Sequence, residues 1–174
     1  MLTVHPSVPA RNAQELIALA KAQPGKISYG SSGIGNLQHL NGELFNKLAG
    51  TQIVHVPYKG AAPQIADLAA GQITMGYTSV AAAIGLIKAG KLRSIGVTSK
   101  ERVRALPEVR SLSETPALAA YELNNSFHAG AATKAHRGRR HSLARRTEEF
   151  RALIVADSLT FARIIKDVGI PMEG

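Results

Sequence analysis

Residues 27–40, ISYGSSGIGNLQHL, constrain the fold more than any other stretch of the chain. A short β-branched and aromatic run, Ile27-Ser28-Tyr29, meets a glycine-rich turn over residues 30–35. The turn opens directly into a segment whose apolar residues Leu37, Leu40, Leu44 and Leu48 recur at helical spacing. Strand, tight turn and helix start form the unit from which α/β sheets are built. The first turn of a helix leaves amide N–H groups unpaired and carries partial positive charge, so it can hold an anion. Ser31, Ser32 and Asn36 add side-chain donors. The bland alternative is a plain turn whose glycines only supply left-handed backbone.

Three enzyme motifs nearly fit this turn, and each fails at an informative position. As a phosphate loop, Gly30 and Gly35 are correctly spaced, but Asn36 and Leu37 stand where a lysine and a hydroxyl residue are required. As a dinucleotide fingerprint, Gly33 and Gly35 fit, but Gln38 occupies the third glycine position. As a nucleophile elbow, Gly30 and Ser32 fit, but Ile34 replaces the second glycine. What remains is a neutral loop rich in donors, better matched to a carboxylate than to a triphosphate.

The rest of the chain repeats the alternation. Asn12 and Glu15 make a capping-box pattern for a helix ending at Pro24-Gly25. A buried strand is expected over 53–56, a helix with Pro63 in its first turn, a strand over 73–77, a helix over 79–88 and a strand over 92–98. This spacing predicts a parallel sheet with helices on both faces. With 174 residues the chain is one domain, or one lobe of something larger. It has no Cys, which removes disulfides, thiolate metal sites and cysteine nucleophiles. Its histidines are scattered, so neither metal nor cofactor is expected. No apolar run is long enough to span a membrane, and the first residues, MLTVHPSVPARN, lack a secretory pattern. The net charge of +9 is uneven: residues 134–146 contain six Lys or Arg and no acid, which leaves +3 for everything else. That run reads as a solvated link, and no nucleic-acid partner is expected.

Several stretches then resemble one known family: HPSVPA, ELIALAKAQPGKISYGSSGIGNLQHLNGELF, VHVPYKGAAPQIADLAAGQI, IKAGKLRSIGVTSKER and LPEV, in that order, with TEEFRALIVADSLTFARIIKDVGI after a break. They are similar to the Bug family, the TctC-type periplasmic solute-binding proteins of tripartite tricarboxylate transporters. The resemblance implies a two-lobed Venus-flytrap α/β fold that binds small carboxylates or dicarboxylates between its lobes and delivers them to membrane permease subunits. It implies periplasmic work, with the cytoplasm as the alternative if the chain is made as given. It divides the chain into a second, ligand-binding lobe over 1–127, a basic irregular linker over 128–146, and a helix over 147–174 that normally packs on the first lobe. It also makes the chain look cut at its N-terminus, and altered around 128–146 as a reading-frame shift or an insertion would leave it.

The ligand set implied is Ser31, Ser32, Gly33, Gly35 and Asn36 around one carboxylate, with His39, Tyr58 and Thr78 shaping the pocket. No catalysis is expected. The alternatives are a hydrolase built on Ser31 or Ser32 with His39 and Asp67, and a nucleic-acid binder using residues 134–146.

Overall fold

The computed structural model describes residues 1–121 together with Leu123 and Lys166. Five strands and four helices alternate: β1 (Leu2–Val4), α1 (Ala13–Ala22), β2 (Ser28–Ser31), α2 (Leu37–Ala49), β3 (Val54–Pro57), α3 (Ala61–Ala69), β4 (Met75–Tyr77), α4 (Val80–Lys88) and β5 (Arg93–Gly96). Two 3-10 turns, Leu112–Glu114 and Pro116–Leu118, follow.

Local chemistry sets the helix ends. The Asn12 carboxamide oxygen accepts the Glu15 N–H at 2.9 Å, while the Glu15 carboxylate reaches back to the Arg11 N–H at 2.7 Å. Asn36 caps α2 by accepting the His39 N–H at 3.0 Å, and Ser79 caps α4 through the Ala82 N–H at 3.2 Å. Gly50 ends α2 in left-handed geometry, φ 62° and ψ 45°, where a β-carbon would be strained.

The strand order is β3-β2-β4-β1-β5. β2 pairs in parallel with β3 and β4, as the alternation predicts. The sheet as a whole is mixed, however. β1 lies antiparallel between β4 and β5, which corrects the expectation of a purely parallel sheet. Leu2-Thr3-Val4 is too short to announce a strand by periodicity, yet all three residues are fully buried between β4 and β5. The strand around residues 53–56 also differs from expectation. β3 is an edge strand with Val54 exposed, not a buried one.

Two apolar layers cover the sheet. Leu16 and Ile17 of α1 and Leu40, Leu44 and Phe45 of α2 pack with Leu2, Val4, Tyr29, Met75 and Tyr77 on one face. Leu68 of α3 and Ala83 of α4 pack with Ile73, Leu92 and Val97 on the other. Each fully buried aliphatic or aromatic side chain contributes about 1.5–3 kcal/mol. Arg93 ties the loop after β1 to the sheet edge: its guanidinium donates to the carbonyls of Pro6 at 3.1 Å, Val8 at 3.0 Å and Ala10 at 3.2 Å.

The linker expected over 128–146 and the helix expected over 147–174 lie outside the described residues, apart from Lys166, which is exposed on a helix. Among the described residues no helix is long and apolar enough to cross a membrane.

Candidate functional site

Ligands of open α/β sheets collect beyond the C-terminal ends of the parallel strands. Here those ends are Ser31, Pro57 and Tyr77, and the start of α2 sits above them. β2 runs two residues further than its hydrophobic run suggests. Gly30 and Ser31 are therefore strand residues, and the loop proper is Ser32 to Asn36. Gly30 answers to close packing: a β-carbon there would lie 2.5 Å from the Ile73 side chain and 2.8 Å from that of Gln64. Gly33 and Gly35 do adopt positive φ, 148° and 75°, as a tight turn into a helix requires.

The loop is held from below by its own side chains. Ser31 is fully buried; its hydroxyl donates to the Gly33 carbonyl at 2.8 Å and lies 2.7 Å from His55 Nε2. The Gly33 N–H makes a long 3.3 Å bond back to Ser31 Oγ. The Ser32 N–H donates to Gln38 Oε1 at 2.6 Å, and Gln38 Nε2 donates to the Tyr77 carbonyl at 2.6 Å, which pins the loop to β4. The Gly35 N–H donates to His39 Nδ1 at 3.0 Å. In this conformation, then, the amides of Ser32, Gly33 and Gly35 already have partners. Among the described residues the N–H groups of Asn36, Leu37 and Gln38 have none, the usual state of a helix start. No acid lies in that first turn to offset its positive end. Asn36 Nδ2 donates to Ser32 Oγ at 2.8 Å, so the Ser32 hydroxyl keeps its own hydrogen to donate.

Beneath the loop lies a stack of three rings. His39 and His55 face each other with centroids 3.9 Å apart and planes 12° apart, and Tyr29 stacks on the far side of His55 at 4.9 Å. The Tyr29 hydroxyl donates to the Glu43 carboxylate at 2.6 Å, and burial with that carboxylate holds its pKa well above the usual phenol range. Burial holds His39 below its ordinary value, against the pull of Glu43, whose oxygen lies 4.0 Å from Nε2. Burial, and then the neighbouring His39, push His55 down to about 4. Both imidazoles are neutral at pH 7.

The remaining expected residues flank this cluster with their side chains bonded elsewhere, although the Tyr58 N–H donates to the Ser31 carbonyl at 2.8 Å. Tyr58 packs with the α3 layer, and its hydroxyl donates to Asp67 at 2.9 Å, with its pKa pushed up to about 12 by burial and that carboxylate. The Thr78 hydroxyl is buried 3.3 Å from that of Thr3. Sequence reasoning misses Gln38, His55 and Glu43 as parts of the site. In the sequence Gln38 stands out only as a missing glycine, and His55 only as a scattered histidine. Ser31, His39 and Asp67 do not converge: Ser31 is sealed beneath its own loop, and Asp67 is bonded to Tyr58. Among the described residues no group of three or more His, Asp or Glu could hold a metal ion.

A family model, "Tripartite tricarboxylate transporter family receptor", matches residues 1–134. A UPF0065 protein of Bordetella pertussis is 36% identical over 114 residues, 66% of this chain and 35% of the relative. A solved structure described as a periplasmic transporter is 38% identical, with a TM-score of 0.63 over 69% of this chain and 39% of that one. A protein of R. palustris solved with adipate is 25% identical, with a TM-score of 0.79 over 98% of this chain and 65% of that one. The mixed sheet flanked by helices is thus the fold of periplasmic binding proteins. The chain spans about a third of the length of the curated relatives it matches.

Proposed function

The chain belongs to the tripartite tricarboxylate transporter receptor family, and on that premise we propose that it holds one carboxylate of a small organic acid at the loop between β2 and α2. One observation carries this reading: three unpartnered helix-start amides, Asn36, Leu37 and Gln38, lie beside the Ser32 hydroxyl, which accepts from Asn36 and keeps its own hydrogen to donate, at the C-terminal ends of parallel strands. Neutral N–H donors with no fixed countercharge suit a carboxylate. Within the expected set, Ser32 and Asn36 meet the ligand, Gly33 and Gly35 shape the turn, and Ser31 and His39 hold it from behind. Tyr58 and Thr78 stand at neighbouring strand ends and act through the pocket's shape. The relative solved with adipate supports the ligand class.

As a whole, the receptor works in the periplasm and feeds permease subunits of a membrane transporter. Its role is to bind and release, with no covalent step. The family is one of receptors; Ser31 is sealed from solvent, and the Ser32 hydroxyl is bonded by the Asn36 amide rather than by a histidine that could take its proton.

Held from this loop alone, a carboxylate stays open to water, where each hydrogen bond nets about 1 kcal/mol. A few such bonds give a Kd of about 1 mM. Titrating the full chain with succinate, glutamate and citrate tests the reading. Calorimetry should show millimolar binding at best, and amide NMR should show shifts centred on Asn36, Leu37 and Gln38. Micromolar affinity would contradict the one-sided site, and shifts that avoid the loop would overturn the assignment.

A further inference from the structure

Beneath the amides and hydroxyl that face the ligand, two histidines bond to the loop from behind. Their hydrogen bonds fix their proton positions. His39 Nδ1 accepts the Gly35 N–H, so the ring carries its hydrogen on Nε2. The Ser31 hydroxyl gives its hydrogen to the Gly33 carbonyl, so at the 2.7 Å contact His55 Nε2 is the donor. Both rings are neutral, each carries its hydrogen on Nε2, and they lie face to face at 3.9 Å.

A proton added to His39 can only go onto Nδ1. There it meets the Gly35 N–H, and an acceptor becomes a donor facing a donor. A proton added to His55 goes to its Nδ1, away from Ser31, and leaves that bond in place. His39 alone therefore couples a proton to the loop. We propose that His39 is a positioning residue for the carboxylate loop: its neutral ring, backed by His55, latches Gly35, and uptake of one proton releases the turn and weakens its hold on the ligand. The proposal rests on the carboxylate-loop reading for its consequence but not for its mechanism.

The groups facing His39 are few. On its own helix, Glu43 favours the cation, but one Glu43 oxygen already accepts the Tyr29 hydroxyl. From β3, the His55 ring covers one face. From β2, Tyr29 stands behind His55, and from β4 Tyr77 meets Tyr29 edge-on at 6.4 Å. Burial keeps His39 below its ordinary value, and burial together with the His39 ring pushes His55 down to about 4.

The test is a pH titration of the full chain from 7.5 to 4.5 by NMR without ligand, following the His39 ring protons and the Gly35 amide together. The latch requires the Gly35 amide to move with the same midpoint as the His39 ring. A Gly35 amide that stays flat while the ring titrates overturns it, as does a ring that stays neutral throughout. A second arm measures glutamate binding at pH 7.5 and 5.0, a range over which both of its carboxylates stay largely ionised. The parent should weaken about fivefold, the equivalent of one lost hydrogen bond. His39→Asn, whose side-chain oxygen can still accept from Gly35 but takes up no proton, should lose that pH dependence, its two affinities differing by less than about twofold whatever their absolute level. An Asn variant that keeps the parent's pH dependence overturns the latch. If glutamate moves no loop amide at pH 7.5, the carboxylate reading fails while the ligand-free titration still decides the latch.

Discussion

Gly42 sits in the middle of α2, and propensity alone says that alanine there should stabilise the protein by about 1 kcal/mol. The structure reverses the sign. A β-carbon on Gly42 would land inside the Tyr29 ring, against its Cε2, Cζ and Cδ2 atoms. Tyr29 cannot swing aside freely. Its hydroxyl is bonded to Glu43 at 2.6 Å, its ring stacks on His55, and it is fully buried on the central sheet. Overpacking of this kind costs about 1–3 kcal/mol. A strained or broken bond to a carboxylate adds about 1.5–3 kcal/mol. Against the propensity gain, the net loss for Gly42→Ala is on the order of 2 kcal/mol, or a fall in Tm of about 4–8 °C for a chain of this size. Gly85 supplies the control. It lies in α4, and a β-carbon added there would meet nothing within 4 Å, so Gly85→Ala should raise Tm by about 2–4 °C. Circular dichroism melts of the two variants and the parent decide the matter. A Gly42→Ala protein that melts at or above the parent would show that the Tyr29 wedge is not rigid, and the packing argument would fail.

Two other changes follow from the same geometry. His55 is held neutral in the fold, at about 4 against an ordinary value of 6.5, so as pH falls the unfolded chain takes up this proton first. Stability from this residue is complete above about pH 6.5 and drains away toward pH 4; for a ring partly open to solvent the loss is on the order of 1–2 kcal/mol. Urea midpoints at pH 7.5 and 4.5 should differ in that direction, and His55→Gln should shrink the difference; an unchanged gap counts against the assignment. Arg93→Lys keeps the charge but cannot fork to the carbonyls of Pro6, Val8 and Ala10. It should cost about 1–3 kcal/mol in the same assay and speed hydrogen exchange in the loop over residues 5–11. A variant as stable as the parent would mean that the clamp contributes nothing.

Much of the architecture is legible in the sequence because it is local. The caps at Asn12, Asn36 and Ser79, the left-handed stop at Gly50 and the amphipathic stripe of α2 each depend on residues within a few positions of one another. Pairings that depend on distance are not legible in this way. β1 is three residues long, and its strand character comes from lying between β4 and β5, more than seventy residues away in the chain. Gly30 looks like a loop glycine until the packing of Ile73 and Gln64 against β2 shows why no larger residue fits.

The candidate site divides in the same way. By itself the sequence determines that a donor-rich turn opens a helix, because glycines, serines and a capping asparagine act within one turn of chain. Only the tertiary structure decides which donors remain free. His55 and Tyr77 reach the turn from β3 and β4, and together with Gln38 and His39 they engage the hydroxyl and amides on its inner side. A hydrogen that already has a buried acceptor has little to offer a ligand, and whether it has one depends on side chains that only the folded sheet brings within 3 Å.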